Sequence, residues 1–357
     1  MKNFNRFVSL TIGVSLSFCA NVFASESPLK AKISINDDYF SAQNNVDVTV
    51  TVTNTSTEHA RILNWMLPSG RLDSNIFLVT RDGEKVNYEG RLIKRPQATA
   101  KDFLIIAPKQ SYSTTIELTS AYDISAAGSY EIKLDIDNLD APIKGKSSEF
   151  ITENQTTSLQ SNSLHFWMDG VQFEAPAQPS FKTTEQSQFA VTTRACNNSQ
   201  RNQIRSAANS AANIASNAYS YLLSGAAGSR YTTWFGSNNS SRYNRVRNNF
   251  YAILDATENK TVNYDCSCNE NYFAYVYPSD PYNIYLCNVF WNVPEVGTDS
   301  KAGTIIHELS HFTVVAGTDD FAYGHSASKR LARNSPYRAV RNADSHEYFA
   351  ENTPFQN

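Results

Sequence analysis

Two histidines four residues apart bracket a glutamate in His307-Glu308-Leu309-Ser310-His311. On a helix, positions i and i+4 share a face, so both imidazoles can reach one zinc ion. Glu308, one step round, can then hold the water that fills an open coordination position. Zinc lowers the pKa of that water toward about 7, and a carboxylate can accept its proton as it attacks a peptide carbonyl. The chemistry on offer is metal-assisted hydrolysis, and the apolar flank Thr304-Ile305-Ile306 suits a helix with a buried face. A solvated helix carrying two ordinary histidines is the plain alternative. A structural zinc site in a secreted binding protein is another, although such a site needs no general base.

Catalytic zinc usually takes three protein ligands and a water. A third histidine six residues beyond the second would fall at Gly317, which excludes that arrangement. In Gly317-Thr318-Asp319-Asp320 the glycine lets the backbone turn and bring an aspartate back to the metal, so Asp319 and Asp320 are the local candidates. Glu347 is a distant candidate of the thermolysin type. If the last segment is helical, Asp344 and Glu347 lie three apart on one face, a paired negative charge suited to one ammonium ion. A compact lysine ammonium fits a narrow acidic pocket better than a planar guanidinium. From residue 182 onward there are four Lys and eleven Arg, a scarcity of lysine that a lysine-directed protease would tolerate in itself.

These residues need elements to position them. Periodicity predicts a helix through Ile204, Ala208, Ala211, Ile214, Ala218 and Leu222 with a stop at Gly225. A second helix is predicted through Tyr243, Val246, Phe250 and Ile253, strands at 272–277 and 284–286, a helix at about 302–313, and a last helix from Ser335-Pro336 to about Glu351. This half reads as α+β and mainly helical. The first half has period two: Val46, Val48, Val50 and Val52 alternate with polar residues, and further strands are predicted at 76–80, 103–106, 112–118 and 130–136. That pattern predicts an immunoglobulin-like β-sandwich. A connecting segment is expected over 152–181, with a short strand-like piece around Leu164–Phe173 before Ala175-Pro-Ala-Gln-Pro-Ser180, which disfavours helix and central strand.

Lys2 and Arg6 precede an apolar run from Phe7 to Phe18, followed by Val22-Phe23-Ala24, which reads as a signal peptide cut after Ala24. The run of about 12 residues is too short to span a bilayer, so no stable membrane insertion is expected. Beyond it remain Cys196, Cys266, Cys268 and Cys287, which in an exported chain read as two disulfides with three conceivable pairings. A chain of 357 residues with 41% hydrophobic content accommodates two domains, and a net charge of -3 gives no field for nucleic acid.

The second half resembles the aspzincins, the deuterolysin-like metalloendopeptidases, and within them the peptidyl-Lys type. The resemblance covers about 160 residues from Cys196 onward. It rests on Arg230-Tyr-Thr-Thr-Trp-Phe-Gly-Ser237, Phe273-Ala-Tyr-Val-Tyr-Pro278, Tyr285-Leu-Cys287, Phe290-Trp291, Gly297-Thr-Asp-Ser-Lys-Ala-Gly-Thr304, the His307 motif, Ala322-Tyr-Gly324 and Asn342-Ala-Asp-Ser-His-Glu-Tyr-Phe349. It implies a zincin catalytic domain with one Zn2+, held by His307, His311 and Asp320. The family's aspartate lies nine residues past the second histidine, although the motif is also written Gly-Thr-x-x-Asp and this chain has Phe321 at its last position. The resemblance also implies Tyr323 as a hydrogen-bond donor beside the metal, Asp344 and Glu347 as the lining of the pocket after the scissile bond, and the disulfides Cys196–Cys266 and Cys268–Cys287.

The resulting expectation is an exported bacterial member of that family. It comprises a signal peptide at 1–24, a β-sandwich propeptide at 25–151, a connecting and activation segment at 152–181 and the catalytic domain at 182–357. Substrates are peptides with Lys after the scissile bond, the propeptide is an intramolecular inhibitor, and the enzyme is a secreted monomer. The basic stretch Arg91-Leu-Ile-Lys94-Arg95 is expected near the acidic pocket, imitating substrate. Lys182 is the one lysine between Lys146 and Lys260, which makes Phe181–Lys182 the expected processing bond.

Overall fold

The structure is a computed structural model that describes residues 27–41, 44–67, 71–140, 156–170 and 190–357. The expected signal peptide and the Phe181–Lys182 bond lie outside the described residues. The described residues between 27 and 170 form a sandwich of two larger sheets, with the short pair Ala60–Leu63 and Phe103–Ile106 adding to its core. One holds Leu29–Ser34, Asp47–Asn54 and Ser111–Glu117. The other holds, in spatial order, Tyr39–Ser41, Thr156–Asp169, Gly128–Asp140, Phe77–Arg81 and Glu84–Lys85. The alternation around Val48 builds this layer directly. Val46, Val48, Val50 and Val52 enter a core with Ile132, Leu134 and Phe166. On the outer face a hydroxyl ladder pairs Thr49 with Thr115, Thr51 with Ser113 and Thr53 with Ser111.

One expectation is corrected here. Much of the segment assigned to a connector from residue 152 is the strand Thr156–Asp169, paired antiparallel along Gly128–Asp140, so the sandwich continues past residue 151. The strand-like piece expected around Leu164–Phe173 falls on its second half; the Ser/Asn/Gln-rich first half hides the rest because one face is solvated, while Leu159, Phe166 and Met168 point inward.

Residues 190–357 contain helices α1 (Asn198–Leu223), α2 (Ser229–Phe235), α3 (Ser240–Asn259), α4 (Lys301–His311), α5 (Gly324–Asn334), α6 (Pro336–Ala339) and α7 (Ala343–Glu351). Helix α1 starts on a capping box between Asn197 and Gln200, and Gly225 follows its end with φ of 74°. Its inner stripe runs through Ile204, Ala208, Ala211, Ala215, Ala218 and Leu222; Ala215 takes the place expected for Ile214, which is only partly buried. The single helix expected from Ser335 to Glu351 is two, α6 and α7, because the chain opens around Asn342 to bind the loop carrying Asp319 and Asp320. Helices α2 and α5 had no predicted counterpart.

Disulfides join Cys196 to Cys266 and Cys268 to Cys287, the pairing the resemblance implies. The first closes a loop of 70 residues, for which the chain-entropy relation gives roughly 4 kcal/mol. Both bridges brace a mixed sheet whose spatial order is Ala190–Arg194, Thr261–Asp265, Asn283–Leu286, Ala274–Val276 and Leu92–Lys94. The last strand comes from the N-terminal region. It pairs antiparallel to Ala274–Val276, with Leu92 opposite Val276, Ile93 opposite Tyr275 and Lys94 opposite Ala274. No helix among the described residues is long and apolar enough to cross a membrane.

Candidate metal centre and lysine pocket

Ser300 caps α4 by accepting a hydrogen bond from the Gly303 amide, and every residue of Lys301–His311 is buried. This places the histidine pair inside the molecule. Gly303 is required for the packing: a Cβ there would lie 2.0 Å from Glu351 Oε1 and 3.0 Å from Glu347 Cγ, so α7 could not lie this close against α4. After α4, Gly317 turns with φ of 55° and the chain doubles back along the helix end. His311 Nδ1 lies 2.9 Å from the Thr318 carbonyl, which leaves Nε2 facing the site. Asn342 holds the returning loop: its Oδ1 accepts from the Ala322 amide at 2.9 Å and its Nδ2 donates to the Ala322 carbonyl at 3.2 Å.

The result is a convergence of three side chains. Asp320 Oδ1 lies 3.3 Å from His307 Nε2 and 3.5 Å from His311 Nε2. Asp319 points elsewhere, accepting a hydrogen bond from Asn75 of the sandwich at 2.8 Å. Glu347 approaches the opposite edge of the His307 ring, with Oε2 3.3 Å from Nδ1. The donor set therefore fits a zinc ion on the Nε2 side, with two imidazole nitrogens and one carboxylate oxygen. His307 Nε2, His311 Nε2 and both Asp320 oxygens are buried without a well-directed hydrogen bond, the condition of ligands shaped for a cation.

Electrostatics point the same way. Burial pushes His311 down to about 4 and leaves its imidazole neutral, as a metal ligand must be. Burial alone would do the same to His307, but Asp320, Asp344 and Glu347 outweigh it and raise the ring well above its ordinary value. Carboxylates that favour a proton there also favour a metal cation. Glu308 sits beside the centre with neither oxygen hydrogen-bonded, and burial pushes it up to about 8, near the value wanted for a group that takes and returns a proton at neutral pH. Tyr323, at the start of α5, lies partly buried under the edge of Trp65, their ring centroids 6.1 Å apart.

The second feature is a closed acidic pocket on the other side of His307, and Lys94 occupies it. Its Nζ lies 2.6 Å from Glu347 Oε2, 3.4 Å from Asp299 Oδ1 and 3.7 Å from Asp344 Oδ1, with the Phe273 ring centroid 4.6 Å away. Burial would strip a lone lysine of its proton, but Glu347, Asp344 and Asp299 more than offset this and hold it charged. Asp344 also accepts from the Gly324 amide at 2.6 Å and lies 2.9 Å from His307 Nδ1, so metal centre and pocket share one carboxylate. Asp344 and Glu347 thus meet one ammonium, as their spacing on a helix predicts. Asp299 and Phe273 were not singled out as pocket residues. The sequence signal for Asp299 is the turn-forming Gly297-Thr298-Asp299, one of the segments that carry the family resemblance, where Asp299 takes a left-handed φ of 53° and accepts from the Tyr348 hydroxyl at 2.7 Å.

This fold and site define a zinc-dependent endopeptidase built on a His-x-x-x-His helix. Residues 220–351 match the family described as lysine-specific metallo-endopeptidase. An extracellular protease of Aeromonas hydrophila is 42% identical over 315 residues, covering 87% of this chain and 89% of its own. A peptidyl-Lys metalloendopeptidase of Grifola frondosa is 33% identical over 361 residues, covering 97% and 99%. The solved structure of a zinc peptidase from Grifola frondosa shares 45% identity and covers 45% of this chain and 100% of its own, with a TM-score of 0.44. The chain belongs to the lysine-specific metallo-endopeptidase family, the aspzincins, and is a zinc metalloendopeptidase.

Proposed function

We propose that this protein is an exported zinc endopeptidase that cuts on the N-terminal side of lysine and is made as a precursor silenced by its own N-terminal sandwich. The observation that carries the reading is Lys94, fully buried among Glu347, Asp344 and Asp299 beside His307. A pocket able to keep a buried ammonium charged is a pocket for a substrate lysine, and the chain's own lysine fills it as an intramolecular inhibitor. Export is supported by the two disulfides and by the relative called an extracellular protease.

His307, His311 and Asp320 would hold one zinc ion, which supplies a water acidic enough to attack an amide at neutral pH. Glu308 would take a proton from the attacking water and return it to the leaving amine. Tyr323 donates a hydrogen bond to the carbonyl oxygen as negative charge develops there. Asp344 and Glu347 fix the lysine after the scissile bond, with Asp299 closing the pocket mouth. Glu347 is bound to the ammonium rather than facing the Nε2 atoms, which favours this reading over one with Glu347 as a metal ligand.

Mass-spectrometric mapping of a denatured protein digested by the activated enzyme tests the specificity. Cuts are expected before Lys and are lost on chelation. Asp344→Asn or Glu347→Gln should lower kcat/KM for a lysine peptide by roughly 30-fold or more, since each leaves a desolvated ammonium short of a partner. A digest dominated by cuts before apolar residues would overturn the specificity.

A further inference from the structure

The strand that carries Lys94 is fastened on both sides of the lysine, beyond what filling a pocket requires. Upstream, Leu92 and Ile93 pair with Val276 and Tyr275, and the Tyr88 hydroxyl donates to the Arg91 carbonyl at 3.0 Å. Arg91 forms a bidentate pair with Asp73, at 2.8 and 3.1 Å, and also reaches Glu270 at 3.2 Å. Downstream, the Phe273 amide donates to the Lys94 carbonyl at 3.1 Å. Arg95 stacks between Trp65 and Tyr272, 5.0 and 4.8 Å from their centroids, and donates to the Asp73 carbonyl at 3.4 Å. One residue of the sandwich, Asp73, therefore clasps the chain on both sides of the Ile93–Lys94 bond.

We infer that Ile93–Lys94 is a reactive bond of the enzyme itself, presented as substrate and kept from net cleavage by the Asp73 clasp. The inference rests on the reading that the acidic pocket takes the residue after the scissile bond; given that, Ile93–Lys94 is the bond at the catalytic centre. Hydrolysis adds a hydroxyl to the Ile93 carbonyl carbon and a proton to the Lys94 nitrogen as the C–N bond breaks. The reverse step expels that water and restores the amide. Because both new ends stay fastened to the same two surfaces, they cannot separate, and resealing competes with release. Arg91 and Arg95 are positioning residues in this scheme, and the sandwich is an inhibitor that resists the enzyme by being rigid around a cleavable bond.

The full-length protein tests this, with denaturing mass spectrometry following the bond and a quenched lysine peptide in the same tube following activity. Wild type should remain largely uncut at Ile93–Lys94 and nearly silent. Asp73→Ala should be cut there to completion and show activity about tenfold higher or more, and Arg91→Met should do likewise by loosening the same clasp. Both changes should be without effect in a Glu308→Ala background. Lys94→Ala should be active, uncut at that position, and cleave the added peptide before its lysine. If Lys94→Ala cuts that peptide before lysine while folded Asp73→Ala and Arg91→Met both stay intact at Ile93–Lys94, the inference falls and the lysine-pocket reading stands. If Lys94→Ala cuts the peptide elsewhere, the lysine-pocket reading itself fails.

Discussion

At the scale of single residues, the site separates two tasks that use the same chemical group. Five carboxylates crowd around His307 and Lys94, and their surroundings give them different work. Asp320 is held below the usual carboxylate range because the His311 and His307 rings outweigh its burial, which suits an anionic metal ligand. Asp344, similarly held down by Lys94 and His307 against burial, serves both histidine and lysine. Glu308 has no cation in contact and rises to about 8, so it is the one suited to proton transfer. Asp299 and Glu347 complete the ammonium's shell. Glu308→Ala should therefore fold and bind zinc as wild type does, yet lose activity by about 10²- to 10⁴-fold or more once freed of inhibition. Metal content by atomic absorption and turnover of a lysine peptide measure the two halves, and near-normal turnover in a pure sample would remove Glu308 from its role.

At the scale of elements, the loop between α4 and α5 carries Asp320 into place, and it has little regular structure of its own. Thr318 ties it to the end of α4, where its hydroxyl lies 2.6 Å from Ser310 Oγ, and Asn342 ties it to the start of α7. Asn342→Ala removes the side-chain clamp on Ala322 without touching any ligand, and should weaken zinc binding by roughly 10- to 100-fold. Competition with a chromophoric chelator reads this directly, while an unchanged circular dichroism spectrum shows that the helices persist. An unchanged affinity would show that the loop holds its shape unaided. The histidine pair and the Asp344/Glu347 face were legible in the sequence because each lies within one helix, where spacing alone sets geometry. Helix α5 was not, since Gly324-His-Ser-Ala-Ser-Lys-Arg330 offers no apolar period until Leu331 and Ala332 reach the core. Of the strand Thr156–Asp169 only the part from about residue 164 is legible, because the polar first half takes its place from its pairing partner rather than from its own sequence. Asp299 belongs to a turn, where no period exists to be read.

At the scale of the whole molecule, two regions with separate cores are locked by polar contacts at the site's edge. Beyond the strand Leu92–Lys94, Asn75 binds Asp319 at 2.8 Å, and Arg338 pairs with Asp135 of the sandwich at 3.0 Å. With hydrogen bonds and ion pairs around one inserted lysine prominent at this junction, a covalent link between the regions would keep the N-terminal region at high effective concentration. Cutting that link would let dilution separate them. The sequence supplies one lysine for the purpose, Lys182, within the proline-bearing segment that precedes the catalytic region. We propose that Phe181–Lys182 is cut by the enzyme itself, leaving a form of 176 residues that begins at Lys182 and keeps all three pocket carboxylates and both disulfides. N-terminal sequencing and intact mass of the secreted protein should then report Lys182 as the first residue. The Glu308→Ala precursor should keep its two regions joined, and Lys182→Ala should slow or move the cut. Normal processing of Glu308→Ala at that bond in a host lacking other proteases would assign maturation to a different enzyme.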